Sequence, residues 1–323
     1  MPTLDNPGEP SKGISRIRYY MNNQKHYAAA IAAFVIWGFF SIPLRAIREF
    51  SAGEILYFRI LLSAVVLVVI VAIFKRRDLS NDWKKLLSSA PKKMRTTILL
   101  TLAGGALLCV NWLTFIYIVN EINIKTASFS YLICPVITAV LGYFLIHEKL
   151  STLQWISVAL CGISCILIGL NSALELGYSF LTAFTYAIYL VSQRKNQGFD
   201  RIIVLGVQVI FSLILLTFLQ GYLISEIPQS GKFYVIVAII AVVFTVLPLF
   251  LNLFALNKIN SATIGILMYI NPLINFTIAF LVFQERITML QALGYSIIVV
   301  ALILFNYPQV RRLQTEVWLK RNS

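Results

Sequence analysis

The sequence predicts an all-α polytopic membrane protein with ten transmembrane helices in two inverted five-helix repeats. Three observations carry that expectation. The chain is 59% hydrophobic, with a mean hydropathy of +0.82 and only 12% charged residues. Apolar runs of about 20 residues recur along it, the length an α-helix needs to cross ~30 Å of hydrocarbon. Finally, one stretch occurs twice. Residues 120–154 (NEINIKTASFSYLICPVITAVLGYFLIHEKLSTLQ) align without gaps on residues 257–291 (NKINSATIGILMYINPLINFTIAFLVFQERITMLQ), which places Pro135 on Pro272.

The same register pairs Asn123 with Asn260, Thr126 with Thr263, Glu148 with Glu285 and Gln154 with Gln291. Shared composition would match apolar positions, but not polar and proline punctuation in step, so the repeat is real. Each copy is followed by a span opening with Ser151-x-x-Gln154 or Thr288-x-x-Gln291, both with the form of a helix capping box.

In chain order, residues 1–26 carry Pro, Gly and basic residues and are expected to form a flexible basic cytoplasmic tail. They do not have the form of a cleaved signal peptide. Ten spans are expected near 27–47, 54–74, 97–119, 126–147, 152–171, 175–194, 202–223, 233–256, 262–283 and 289–307. This gives a first repeat over 27–171, a second over 172–307 and a basic cytoplasmic tail over 308–323. The longest polar loop, about 20 residues, is too short to bury a soluble core.

Basic residues set the orientation. With both termini inside, 21 of the 27 Lys and Arg fall in cytoplasmic segments, eight of them in 75–95. The same bias accounts for the +14 net charge without a nucleic-acid partner. Five spans per half is an odd number, so the second repeat enters the membrane with opposite polarity. Inverted repeats around a central site give two exchangeable halves, which is a transporter's need and not an enzyme's or a scaffold's.

Polar stripes at helical spacing mark the expected cavity. Span 4 offers Ser128, Tyr131 and Thr138, and span 6 offers Tyr186 and Tyr189. Span 8 offers Thr245 and Asn252, span 9 Tyr269, Asn271 and Asn275, span 3 Asn111 and Phe115, and span 1 Trp37. Polar groups at membrane depth face inward. Such stripes suit a mostly neutral, amphipathic substrate with an apolar or aromatic body. Pro135, Pro248 and Pro272 lie near span centres, where each frees the carbonyl four residues before it, and are expected hinges. In span 5, Ser157, Cys161, Cys165 and Gly169 form a small-residue face suited to close helix packing or a homodimer contact.

Charge is informative by its placement. None of the 13 acidic residues falls at a span centre, so no mid-membrane proton relay is expected. Arg59 is the one clearly intramembrane cation, expected to snorkel to the outer interface, to pair with Glu54 on the same span or to contact substrate. Two histidines and four cysteines without a C-x-x-C pair exclude a zinc site or a disulfide scaffold, and no metal or cofactor is expected.

Phe34-x-x-Trp37-Gly38 resembles the opening signature of the drug/metabolite transporter superfamily, the EamA-type permeases. Glu54-Ile55-Leu56-x-x-Arg59, Asn111-Trp112-x-x-Phe115, Ala127-Ser128-x-x-Tyr131-x-Ile133-x-Pro135 and Gln154-Trp155 together resemble its RarD branch. The resemblance implies ten helices, a five-plus-five inverted repeat and a central cavity lined by helices 1, 3, 4, 6, 8 and 9. It also implies a bacterial inner-membrane permease, a monomer or homodimer, moving small amino-acid-like compounds or drugs outward by alternating access. A nucleotide-sugar or phosphosugar exchanger of the same superfamily is the alternative, and it would need several central Lys or Arg. A non-transporting membrane scaffold is the other.

Overall fold

A computed structural model describes residues 12–147, 150–196, 198–224, 226–256 and 267–322. All regular structure among them is helical. The expectations placed on Glu148, Lys149 and residues 257–266 lie outside the described residues. Among the described residues, eight helical stretches are long and apolar enough to cross a membrane: Gln24–Arg45, Ala52–Phe74, Pro91–Ile122, Ile124–Leu145, Ala173–Gln193, Arg201–Phe218, Gly231–Asn252 and Met289–Tyr307. Two shorter apolar helices, Thr152–Ile168 and Ile270–Leu281, occupy the places expected for spans 5 and 9. The chain is a multi-pass membrane protein.

The first half contains α1 (Lys12–Gly38), α2 (Ser41–Arg45), α3 (Ala52–Phe74), α4 (Arg76–Leu87), α5 (Pro91–Tyr117), α6 (Ile124–Ile146) and α7 (Thr152–Asn171). The second contains α8 (Ala173–Lys195), α9 (Arg201–Phe218), α10 (Gln220–Leu223), α11 (Gly231–Ala241), α12 (Leu247–Leu256), α13 (Ile270–Leu281) and α14 (Met289–Asn322). Among the described residues, 12–26 and 308–322 are helical extensions of α1 and α14, where the sequence predicts a flexible N-terminal tail, because extending an existing helix adds one hydrogen bond per residue fixed. The 75–95 loop likewise contains a helix, α4. It buries no residue and exposes Leu79, Trp83 and Leu87, the composition of a helix lying at a membrane surface.

Both expected capping boxes form. The Ser151 N–H reaches Gln154 Oε1 at 2.9 Å, and the Thr288 N–H reaches Gln291 Oε1 at 3.1 Å. The return bonds also form, from the Gln154 N–H to Ser151 Oγ at 3.4 Å and from the Gln291 N–H to Thr288 Oγ1 at 3.2 Å. The small-residue face of α7 packs within the chain against α14, where Ser164 Oγ donates to the Gly294 carbonyl at 2.7 Å. A Cβ at Gly294 would sit 2.7 Å from Ile168, so glycine is what permits the approach.

Two large apolar cores result, besides a small cluster of Ala30, Phe34 and Ala255 between α1 and α12. One joins α3, α5, α9 and α11 through Leu56, Ile60, Leu108, Ile116, Val209 and Val237. The other joins α6, α7, α8 and α14 through Phe129, Ile133, Cys161, Ala187 and Ile298. Helix α1 lies against α12 and α13, and α6 lies against α8 and α13, so first-half and second-half helices alternate around the centre.

The three prolines act differently. α6 runs unbroken through Pro135. Pro248 follows a single π-helical turn, Val242–Val246, and leaves the Phe244 carbonyl without its i+4 donor. Pro272, expected at mid-span, instead sits in the first turn of α13, after a break at 268–269. The Met268 carbonyl that Pro272 cannot bond accepts the Asn271 N–H at 3.2 Å. A proline in a first turn costs little, since that N–H has no helical acceptor.

Candidate functional site

A cavity of about 200 Å³ lies between the halves, more than ten times the ~10–15 Å³ that one water needs. Its walls come from α1, α3, α5, α6, α8, α9 and α12, with Met268 and Asn271 at the α13 break. Aromatic rings form a continuous lining. Phe40 stacks on Phe115 at 5.8 Å, Phe115 meets Tyr131 at 5.3 Å, and Tyr131 meets Tyr186 edge-on at 5.8 Å. Tyr186 then stacks on Tyr189 at 5.8 Å. Such rings offer flat apolar area with little rotamer freedom to lose on binding.

Of the residues expected at the cavity, Trp37, Phe115, Tyr131, Tyr186, Tyr189, Thr245, Asn252 and Asn271 line it. Five others do not, among them Thr138, whose hydroxyl bonds back to the Cys134 carbonyl of its own helix at 2.8 Å. Asn111 is fully buried behind the wall, donating to the Thr182 carbonyl at 2.7 Å while its Oδ1 accepts from the Tyr131 hydroxyl at 3.4 Å. It therefore ties α5 to α8 and orients Tyr131. Asn275 stands behind Asn271 in the same way, donating to its Oδ1 at 2.8 Å. Ser128 bonds back to the Ile124 carbonyl of its own helix at 2.9 Å, the usual satisfaction of a buried serine. Tyr269 packs against the α6–α7 core.

The π turn before α12 builds the polar corner of the cavity. Trp37 Nε1 donates at 3.0 Å to the Phe244 carbonyl, the group released by Pro248. Thr245 Oγ1 donates to the Ile240 carbonyl at 3.0 Å and accepts from Arg59 Nε at 2.9 Å. Arg59, 3% exposed, lies between two rings, with Cζ 4.8 Å from the Phe40 centroid and 4.9 Å from that of Trp112. Arg and aromatic faces attract through the ring quadrupole.

The expected Glu54–Arg59 pair does not form. Five residues apart on a helix is about 140° of rotation, which sends the two side chains to different faces. Glu54 instead completes a capping box at its own helix start, accepting the Ser51 N–H at 2.9 Å.

At one end the cavity reaches the α8–α9 loop, where Asn196, Gly198, Phe199 and Arg201 border it. At the opposite end of the bundle, outside the cavity lining, Glu285 joins the two halves. Its Oε1 accepts the Ile124 N–H at 2.8 Å and Arg45 at 3.1 Å, and its Oε2 accepts the Lys125 N–H at 3.1 Å. Lys125 also donates to the Arg286 carbonyl. Glu285, expected with the other acidic residues away from span centres, does not stay with its own helix. It caps α6 instead, where the first N–H groups and the helix dipole both favour a carboxylate. Glu175 joins the same end, accepting Thr126 Oγ1 at 2.9 Å and Gln291 Nε2 at 3.5 Å.

Gln193 continues the polar face of Tyr186 and Tyr189 into the lining, whereas sequence reasoning missed Gln208 and Trp112. Gln208 had a signal, being an uncharged polar residue isolated in the apolar run of α9. It accepts from the Tyr189 hydroxyl at 3.4 Å, and its helix approaches α5 so closely that a Cβ at Gly105 would lie 2.7 Å from the Gln208 carbonyl oxygen.

A multi-pass helical protein with an aromatic, sparsely charged cavity between its halves belongs structurally with membrane transporters. Residues 24–170 and 174–307 each match the EamA-like transporter family, and the chain belongs to that family. It is 29% identical over 285 residues to an uncharacterized transporter, YojE, of Bacillus subtilis strain 168, covering 86% of this chain and 92% of that one. It is 27% identical to the protein RarD of Escherichia coli K12 (85% of this chain, 92% of that one) and 24% identical to RarD of Streptomyces exfoliatus (86% and 87%). A solved crystal structure of a protein 11% identical superposes with a TM-score of 0.58, covering 88% of this chain and 97% of that chain, and shares its fold.

Proposed function

We propose that the protein is a bacterial inner-membrane permease that exports small amphipathic metabolites by alternating access. In this reading ten helices cross the membrane, the two shorter apolar helices among them, as inverted repeats over 27–171 and 172–307. Both termini lie in the cytoplasm. The α8–α9 loop is then cytoplasmic and the Glu285 end external, so the cavity faces inward. The single observation that carries the reading is an aromatic cavity between the halves that reaches the α8–α9 loop, with Glu285 joining the halves by charge-assisted bonds at the other end. Two consecutive family matches, one per half, support the repeat boundaries. Pro248 and the Pro272 break, each beside cavity-lining residues, are proposed hinges, and Pro135, four residues after the cavity-lining Tyr131, is a third. Transport runs down the substrate's own gradient, since the carboxylates described lie at span ends.

The test is counterflow in proteoliposomes, using a panel of amino acids and aromatic amphiphiles with and without an imposed pH gradient. Saturable, protein-dependent exchange insensitive to a protonophore is expected. Absence of exchange for the whole panel overturns the reading, and accumulation that a protonophore collapses overturns the uncoupled mode. Thiol labelling of Lys84→Cys from inside and Lys232→Cys from outside checks the orientation. Labelling of both from one side contradicts it.

A further inference from the structure

The cavity is lined by a buried cation, Arg59, whose charge no carboxylate among the described residues neutralises. Arg59 is held rigidly by Thr245 on Nε and by the Phe40 and Trp112 rings on its flanks. Its Nη1 is buried and has no hydrogen-bond partner, and no carboxylate among the described residues lies within ion-pair distance. Among the described residues the cavity lining contains Arg59 and Arg201 and no Asp or Glu. A guanidinium taken out of water without a counter-charge is costly, and such a group is retained where a ligand supplies the missing acceptor. The aromatic wall beside it fits the rest of such a ligand. A singly charged planar acceptor matches one guanidinium, whereas a phosphate dianion calls for several cations converging on it.

We propose that Arg59 is the subsite for a single carboxylate of the transported molecule, which makes the substrate an apolar or aromatic carboxylate rather than a neutral amphiphile. The inference rests on the transport reading and sharpens its substrate class. The carboxylate takes the free Nη1 edge while Thr245 and the two rings fix the plane of the guanidinium. The apolar body lies along Phe115, Tyr131 and Tyr186. Because Trp112 lies 4.9 Å from the guanidinium, occupancy of the subsite is read as a change in tryptophan emission.

The experiment uses the purified full chain and three probes differing only in their head group: phenylacetate, phenylacetamide and phenyl phosphate. Phenylacetate is expected to bind at least about tenfold more tightly than phenylacetamide, the margin of a charge-assisted bond. Arg59→Gln is expected to erase that preference and Arg59→Lys to keep part of it, with thermal melts reporting whether each variant is folded. If Arg59→Gln does not fold, the acid-to-amide ratio of the unaltered protein and of Arg59→Lys still decides. Equal binding of acid and amide, an undiminished preference in Arg59→Gln, or tighter binding of phenyl phosphate than of phenylacetate overturns the assignment. Counterflow with the neutral members of the panel separates the two claims: exchange of neutral compounds alone leaves the permease reading standing and removes the Arg59 subsite, and no exchange at all removes both.

Discussion

At the Glu285 end, Arg45 and Glu285 have side chains only 15% and 11% exposed, and the carboxylate is further engaged by two N–H groups of α6. At the α8–α9 end, Lys75 bridges Asp78 and Asp200 at 2.9 and 2.8 Å with its side chain 28% exposed and that of Asp78 46% exposed. Both ends join the first half to the second by charge. Only the first does so in a dry setting, where removing one partner strands the other, while the second does so where water can replace either partner. A closure that must open cannot rely on apolar burial alone. A few strong, directional bonds break together and re-form together, which suits the Glu285 end to be the gate and the Lys75 end to be a tether.

The largest effect is expected from breaking the dry end. Glu285→Ala removes the acceptor of two α6 N–H groups and strands Arg45, a loss on the order of 3 kcal/mol for a partly buried pair. Glu285→Gln keeps an acceptor for one N–H and should lose less. Thermal unfolding of the two variants in detergent measures the difference. If the network is a gate, Leu44→Cys, at a position fully buried beside it, becomes reactive toward an impermeant thiol reagent when Glu285 is replaced. Unchanged melting together with an unreactive Cys at 44 would show the network to be incidental.

Much of this difference was not legible in the sequence, for a physical reason. Composition and the length of the apolar runs gave the membrane class, and local rules gave the capping boxes at Ser151 and Thr288, because both depend only on residues a few positions apart. The aromatic and amide faces of α6 and α8 were legible at helical spacing, and Tyr131, Tyr186 and Tyr189 do meet at the cavity. Glu285 capping α6 spans about 160 positions, and Arg59 meeting Thr245 spans 186. Neither follows from any local pattern. Glu54 was misassigned because nearness in sequence was taken for nearness in space, although helical rotation separates positions five apart. Pro272 was misplaced because a repeat fixes register and not the point where a helix breaks.

Midway between the ends, Pro248 offers a smaller effect that tests how the cavity's polar corner is maintained. Pro248→Ala restores an N–H able to bond the Phe244 carbonyl, in competition with the Trp37 indole. The π turn then loses its reason to persist, and Thr245 turns away from Arg59. One buried neutral hydrogen bond is at stake, about 1 kcal/mol, so the fold should survive with weaker ligand binding. Changed tryptophan emission with unchanged melting is the expected pair of results. Loss of folding would mean that Pro248 serves stability, and unaltered emission and binding would mean that the turn is set by something else.

The smallest effect belongs to the wet end. Its hydrogen bonds to Asp200 and then to Asp78 hold the Lys75 ammonium above its ordinary pKa of 10.5. A raised folded-state pKa stabilises fully below the unfolded value and is lost as pH rises through the folded one, so this contribution is flat from neutral pH to about 10 and disappears only in strong alkali. Exposure limits it to about 0.5–1 kcal/mol. Lys75→Ala should therefore lower the melting temperature slightly at low ionic strength and leave it unchanged in about 1 M salt, where the Debye length is ~3 Å. The Glu285 variants should keep most of their loss in the same salt, because ions do not enter a nearly buried pair. Equal salt sensitivity at the two ends would erase the distinction between gate and tether. A Lys75→Ala loss as large as that of Glu285→Ala would reverse it and move the closure to the α8–α9 end.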